Sequence, residues 1–544
     1  MFDGLGITVF GPLLLALLCL LLPAVSGARH SRLLALAGSL VSLVAGLNLL
    51  AWFRSEPTAG FRAVTTHAWS ADLGANWTVG VDAFGAAMLA LSGLVTLCAT
   101  LAAWNESRMP RAYHALVLVL LAGMNGVFVT LDLLVFYVCW EVMLVPMLAL
   151  VGIWGGAQRR YAALKFFVFT LAGSVMLLVL LVALWNAVPA AGMVVPVDAS
   201  VLAAHGTDGG AVLHGLKVTS DAAGTATVLV PRGFDIRHLA LLWRHWADTS
   251  FLGMSLSAFG LLAVLLATLV KIPAFPLHTW LPHAHVQAPT AVSVLLAGVL
   301  LKLGVHGIHR VGLPLFPADF VAVAPALGWV GAVGILWASW VALGQSDLKR
   351  LVAYSSVAHM GFCILGLATG SAVGVNGALV QAVTHGLSSS LLFLLVGVLY
   401  ERAHHRDVDG FGGIATVMPR FGWLLLFAAL AGAGLPGLSG FVGEFLVIAG
   451  SFRANGPFAA MGVCAALSVV LSAAYLLWMV KRVNGGPLRH PAHASFADIR
   501  GVELASVLPL VVLVVLLGVV PSLLTDALRP GAEAVAALLG EVRP

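Results

Sequence analysis

The sequence predicts an all-α polytopic membrane protein with about 14 transmembrane helices of roughly 20 residues each. Three observations carry this prediction. Lys+Arg (28) and Asp+Glu (23) make up only 9% of 544 residues, while 60% are hydrophobic and the mean hydropathy is +1.02. A soluble chain carries roughly 25% charged residues and needs them to cover its surface. Apolar runs recur at bilayer-spanning length, whereas barrel strands would show short alternating segments. The basic residues fall on alternate connections, as topology signals do. These observations exclude a soluble enzyme, a nucleic-acid binder and a disordered chain, and leave lipid as the surrounding medium.

The helix centres fall near Leu17, Leu43, Leu91, Val119, Met143, Leu177, Leu262, Leu300, Ile335, Ile364, Leu392, Leu430, Leu467 and Val512. The first run, Leu13–Val25, has no basic residue before it and Arg29 and Arg32 after it. That charge order is opposite to a secretory signal, so a retained helix with its N-terminus outside is expected. Alternate connections then carry Arg29/Arg32, Arg108/Arg111, Arg159/Arg160/Lys165, Lys349/Arg350, Arg402/Arg406 and Lys481/Arg482/Arg489. The connection Phe275–Thr290 has histidines but no Lys or Arg. An even number of spans with both ends outside fits this pattern. The net charge of +5 needs no anionic partner to explain it.

Two outer connections are long, about 54–79 and about 189–249. The second contains Lys217-Val-Thr-Ser…Thr-Val-Leu-Val-Pro, which reads as a short β-hairpin. Cys19, Cys98, Cys139, Cys363 and Cys464 lie singly in apolar runs. They have no zinc, haem or iron–sulfur spacing and read as small buried hydrophobes.

The informative residues are the ionisable groups inside apolar runs. A charge at mid-membrane costs roughly 2.5–3.5 kcal/mol on insertion scales, so such residues mark ion or proton pathways. Glu141 sits in Leu-Val-Phe-Tyr-Val-Cys-Trp-Glu-Val-Met, and its neutralising partner must come from another helix. Lys271 precedes Pro273 and Pro276, which remove backbone donors and break the helix there. Unwound backbone in a membrane is tolerated where it is buried in protein or lines a cavity. Lys302 lies about three turns into a helix that starts near Pro289, hence near mid-depth. Glu444 follows Ala-Gly-Ala-Gly-Leu-Pro-Gly-Leu-Ser-Gly-Phe-Val-Gly, with the break at Pro436. Two interrupted helices, one in each half, point to an ion site and an internal repeat. His359 and His385 have hydroxyl neighbours (Ser355, Ser356, Thr384, Ser388, Ser389, Ser390). Histidine titrates near neutral pH and shuttles protons. The groups His278/His283/His285 and His404/His405 suit proton uptake or interface anchoring at helix ends. A metal site is not expected, since it needs three or four convergent ligands.

The segments 136–147, 270–303, 351–362, 384–406 and 435–445 resemble the antiporter-like subunits of respiratory complex I. The run Lys271-Ile-Pro-Ala-Phe-Pro-Leu-His-Thr-Trp-Leu-Pro282 is specific to that family, and the resemblance covers nearly the whole chain. Glu444 in Gly-Phe-Val-Gly-Glu-Phe resembles the M branch of bacterial NADH–quinone oxidoreductase. The L and N branches and the cation/proton antiporter relatives usually have lysine there.

The resemblance implies two inverted five-helix repeats, residues 112–310 and 320–483, flanked by residues 1–111 and by one C-terminal helix within 484–544. It implies a proton channel in which Glu141 and Lys271 form an ion pair, Lys302 is the central relay, His359 and His385 continue it, and Glu444 is the terminal exchange site. It implies a non-redox subunit of a proton-translocating NADH:quinone oxidoreductase in a bacterial inner membrane, with both termini periplasmic. No cofactor is expected in this chain; FMN, iron–sulfur clusters and quinone belong to partner subunits. The expected partners are other complex I membrane subunits, especially L and N. The alternatives are a subunit of a Na+/proton antiporter, or of a membrane-bound hydrogenase or ferredoxin-driven complex. Two departures are His283, where the family usually has aspartate, and His306, where many relatives have tyrosine.

Overall fold

The computed structural model describes residues 4–21, 23, 27–196, 216, 218–220 and 226–542. Its helices are α1 (Gly6–Leu21), α2 (Gly27–Ser55), α3 (Ala83–Ala102), α4 (Pro110–Val129), α5 (Leu133–Trp154), α6 (Arg159–Ala187), α7 (Leu256–Lys271) and α8 (Trp280–Gln287). They continue with α9 (Thr290–Leu315), α10 (Pro317–Leu343), α11 (Leu348–Thr369), α12 (Ala372–Ala403), α13 (Pro419–Gly432), α14 (Ser439–Arg453), α15 (Phe458–Asn484), α16 (Val502–Val519) and α17 (Ser522–Glu541).

Among the described residues, eleven of these helices are long and apolar enough to cross a membrane, and α1, α7 and α13 are shorter apolar helices. Every centre expected from the sequence falls inside one of these helices. The fold is a polytopic bundle. α9 and α12 are enclosed by other helices along their spans, while α2 and α16 bury only a minor part of theirs. A helix that is apolar all round belongs in such an interior.

Short polar side chains start several spans by capping their first free N–H groups. Asp82 accepts from Gly85, Asp132 from Leu134 and Val135, Asp347 from Arg350, and Ser371 from Gly374. Small residues set the closest approaches. A Cβ on Gly93 would run into the Leu43 backbone, so only glycine lets α3 and α2 meet there.

The long connections are more ordered than the sequence suggests. Residues 54–79 contain most of an antiparallel hairpin, β1 (Arg62–Ser70) with β2 (Ala75–Val81), which the sequence reading leaves without structure. In the second connection, β4 (Val218–Ser220) pairs antiparallel with β5 (Ala226–Val230), as the hairpin expectation has it. β3 (Met193–Pro196) covers the other edge of β5; Lys217 and the turn lie outside the described residues. The C-terminal region is a correction. It holds two helices, because Pro521 ends the apolar run and α17 then buries only one face, through Leu524, Ala527, Leu528, Ala532, Val535 and Leu539.

Candidate functional site

The first break places Lys271. α7 ends there because Pro273 and Pro276 supply no N–H for the next turn. Ala274 N–H reaches back to the Leu269 carbonyl (2.9 Å), and the Trp280 indole N–H caps the Val270 carbonyl (2.9 Å). The break is therefore hydrogen-bonded while buried. Lys271 is buried, and its Nζ donates to the Trp140 carbonyl (3.4 Å) and lies 4.4 Å from the Trp140 ring centroid.

Glu141, the next residue along α5, is close enough to act on Lys271 electrostatically. The two do not form the ion pair that the resemblance implies. Lys271 rests on Trp140 instead, and Glu141 Oε1 is buried with no hydrogen-bond partner. α5 is itself interrupted at Met143, where Pro146 leaves the Val142 carbonyl without its usual donor.

Lys302 occupies the centre of α9 and is fully enclosed. A wide, π-type turn over Leu296–Leu300 precedes it, a distortion common at functional sites. Its ammonium folds back onto the Ala297 carbonyl and lies 2.9 Å from His385 Nδ1. The His385 and His359 rings are 5.2 Å apart, centroid to centroid. His359 Nδ1 is 3.1 Å from Glu444 Oε1 and 3.4 Å from Gln381 Nε2. Thr384 donates to Gln381 Oε1 at 3.4 Å. Helices α9, α12, α11 and α14 thus bring Lys302, His385, His359 and Glu444 into one buried row.

The second break, between α13 and α14, sets Glu444 in place. Pro436 sits in it, and Gly434 and Gly437 have φ of +72° and +90°. The Glu444 carboxylate packs so closely on Gly434 that a Cβ there would collide with Oε2.

The row continues at its other end through two residues that the sequence reading treats otherwise. Lys349 reads as a topology signal beside Arg350, yet it is buried and donates to the Ala288 carbonyl (2.7 Å) and to Ser293 Oγ (3.4 Å). His285 is fully buried, stacks on Phe393 at 4.3 Å, and leaves both ring nitrogens unpartnered. Lys349 and Lys302 are its charged neighbours. A usable signal is that Lys349 precedes Ser356 by seven residues, placing both on one helix face.

The histidines near the first break diverge. His278 lies among the Phe275, Trp337 and Tyr354 rings, His283 is 3.4 Å from Lys165 Nζ, and His285 faces inward. Among the described residues, no three His, Cys, Asp or Glu side chains converge as metal ligands.

Chemically, the row alternates groups that can hold or pass one proton. The row is buried in the bundle, so adding or removing a charge at one member acts strongly on the next.

A family model described as NADH:quinone oxidoreductase/Mrp antiporter, TM matches residues 130–194 and 233–469. The NADH-quinone oxidoreductase subunit M of Rhodobacter capsulatus is 38% identical over 97% of this chain and 95% of its own. That of Rickettsia bellii is 34% identical, covering 97% of both. A chain of respiratory complex I from Thermus thermophilus superposes with a TM-score of 0.79 at 30% identity, covering 98% of this chain and 100% of that one. A chain of the Mrp complex from Dietzia shares the fold, with a TM-score of 0.78 at 21% identity over 99% of each.

Proposed function

The chain belongs to the NADH:quinone oxidoreductase/Mrp antiporter membrane family, and from that premise we propose that it is a proton-translocating membrane subunit of an NADH–quinone oxidoreductase. The observation that carries this reading is the buried row Lys302–His385–His359–Glu444, which crosses four helices without a break larger than one ring-to-ring step. Lys349 and His285 lie at the end near the α9 N-terminus and serve proton uptake. Lys302 is the central relay, His385 and His359 pass the proton, and Glu444 exchanges it at the far end. Glu141 sets the field at Lys271 across Trp140 and biases that transfer.

In this reading residues 112–310 and 320–483 are the two inverted repeats, the first containing the break after Lys271 and the second the break at Pro436. The subunit works in a bacterial inner membrane with both termini on the periplasmic face. Its neighbours are the L- and N-type antiporter-like subunits. Flavin, iron–sulfur and quinone chemistry resides in other subunits and reaches this chain as an electrostatic and conformational bias.

The test is Glu141→Gln in the complex reconstituted into vesicles. A fall in protons moved per electron, with assembly retained, is expected. An unchanged ratio removes Glu141 from the mechanism. Copurification of flavin and iron–sulfur subunits with the tagged chain is expected too. Recovery with antiporter subunits alone would replace this reading with cation/proton exchange.

A further inference from the structure

A second set of titratable side chains runs along α9 away from the row. His306 lies one turn beyond Lys302 and is fully buried; His309 is 8% and Arg310 2% exposed. Arg310 Nη2 is 2.9 Å from Asp82 Oδ1, and His309 Nδ1 is 3.9 Å from Asp82 Oδ2. The Asp82 side chain is 13% exposed while Lys302 is fully buried, so exposure rises along the helix from Lys302 to Asp82. A second wide turn, Ile308–Gly312, covers this end of α9. It lets the adjacent residues His309 and Arg310 both approach one carboxylate. The rings packed against the cluster are Phe84 from α3, Phe128 from α4, and Phe61 beneath the guanidinium, and the Val127 backbone reaches His306.

The Asp82–Arg310 pair has a sufficient structural account, since it ties α3 to α9 and Asp82 also caps α3. The two imidazoles do not. None of their ring nitrogens makes a close hydrogen bond; the Val127 carbonyl faces His306 and the Asp82 carboxylate faces His309, whereas Phe or Leu would fill the same space without burying polar atoms. The charges of Asp82 and Arg310 cancel. The cluster is therefore neutral with both imidazoles neutral, and one added proton would make an imidazolium beside the Asp82 carboxylate.

We propose that His306 and His309 form a second proton branch, leading from Lys302 along α9 to the membrane face where Asp82 lies. The step conserves charge. The Lys302 ammonium gives its proton to His306, His306 gives it to His309, and His309 releases it to water beside Asp82. Lys302 is then reprotonated from the Lys349 side. The backbone interval from Lys302 to His306 is about 6 Å along the axis, within reach when the flexible lysine stem leaves the Ala297 carbonyl. This branch rests on the reading of the chain as a proton-translocating subunit.

The test measures protons per electron in vesicles containing the complex with His306→Phe, His309→Leu, Glu444→Gln, or either histidine change combined with Glu444→Gln. The Glu141→Gln complex is measured beside them. The expected result is a ratio between wild type and Glu141→Gln for each histidine variant, and a ratio equal to Glu141→Gln for each combination. His306→Gln and His309→Gln keep the polarity but carry no proton, and are expected to behave as the apolar variants do. They replace the apolar variants should these fail to assemble. Wild-type ratios in the histidine variants, with no further loss on adding them to Glu444→Gln, would overturn the branch. If Glu141→Gln or Glu444→Gln lowers the ratio in the same series, the underlying reading survives that outcome; if neither does, both fall.

Discussion

Lys302 Nζ lies 2.9 Å from Nδ1 of His385, and among the described residues no carboxylate pairs with that lysine. An ammonium and an imidazolium cannot share such a distance, so the two groups hold at most one extra proton between them. Replacing His385 by alanine removes the acceptor and leaves Lys302 with the Ala297 carbonyl alone. Proton translocation is expected to drop to the Glu141→Gln level. Proton-to-electron ratios in vesicles check this, and a wild-type ratio would remove His385 from the row.

Lys302→Met separates chemistry from packing. Methionine keeps the length and removes a buried ionisable group that no carboxylate pairs with, so the cost of burying it disappears. The unfolding temperature of the purified chain in detergent is expected to stay the same or rise, while translocation is lost. A large fall in that temperature would make the lysine a structural residue.

The Trp280 indole N–H is bonded to the Val270 carbonyl at the first break. In Trp280→Phe that buried acceptor loses its partner, a change worth about 1–3 kcal/mol. Denaturant or thermal unfolding of the variant should show a loss of that size. No loss would mean that the break is held together elsewhere.

Gly434 combines a φ of +72° with contact against Glu444. Alanine is strained in that backbone conformation by about 1 kcal/mol, and its methyl group would displace the carboxylate from His359. Gly434→Ala should therefore lose translocation more than it loses stability. Normal translocation in that variant would show that Glu444 needs no fixed position.

Asp82, just outside the start of α3, gives a pH signature. Burial alone would raise its pKa. Arg310, His309 and His306, together with the Gly85 N–H, outweigh burial and hold it at about 2, against an ordinary 3.8. A folded-state pKa below the unfolded one stabilises above pH 3.8, and that stability disappears as pH falls through about 2. The shift corresponds to about 2 kcal/mol. Asp82→Asn should unfold at a lower temperature than wild type at pH 7, with the gap closing in acid. A gap unchanged between pH 7 and pH 2 would contradict the pairing.

The membrane class and every helix centre were legible because burial in lipid is a property of composition along a run of residues. The breaks were legible at Pro273, Pro276 and Pro436 because a missing N–H acts on its own turn. The costly charges Glu141, Lys271, Lys302 and Glu444 stood out for the same local reason. The β1–β2 hairpin and α17 were harder to read, since a half-exposed strand pair and a one-faced helix have little contrast against polar loops.

What only the tertiary structure decided is which of these charges meet. The resemblance implied a Glu141–Lys271 ion pair, but Lys271 Nζ rests on the Trp140 carbonyl and ring instead. The sequence presented Lys349 and Arg350 as equivalent, but α11 turns one into the bundle and leaves the other outside. It grouped His285 with His278 and His283, gave His306 only as a departure from the family and passed over His309; only the packed bundle sets His285 on Phe393 and the two α9 histidines against Phe84 and Phe128. Local chemistry sets the cost of burying a charge, and that cost can be read along the chain. The partner that offsets the cost sits on another helix, often many residues away, and its identity depends on crossing angles and wide turns that only the packed bundle defines.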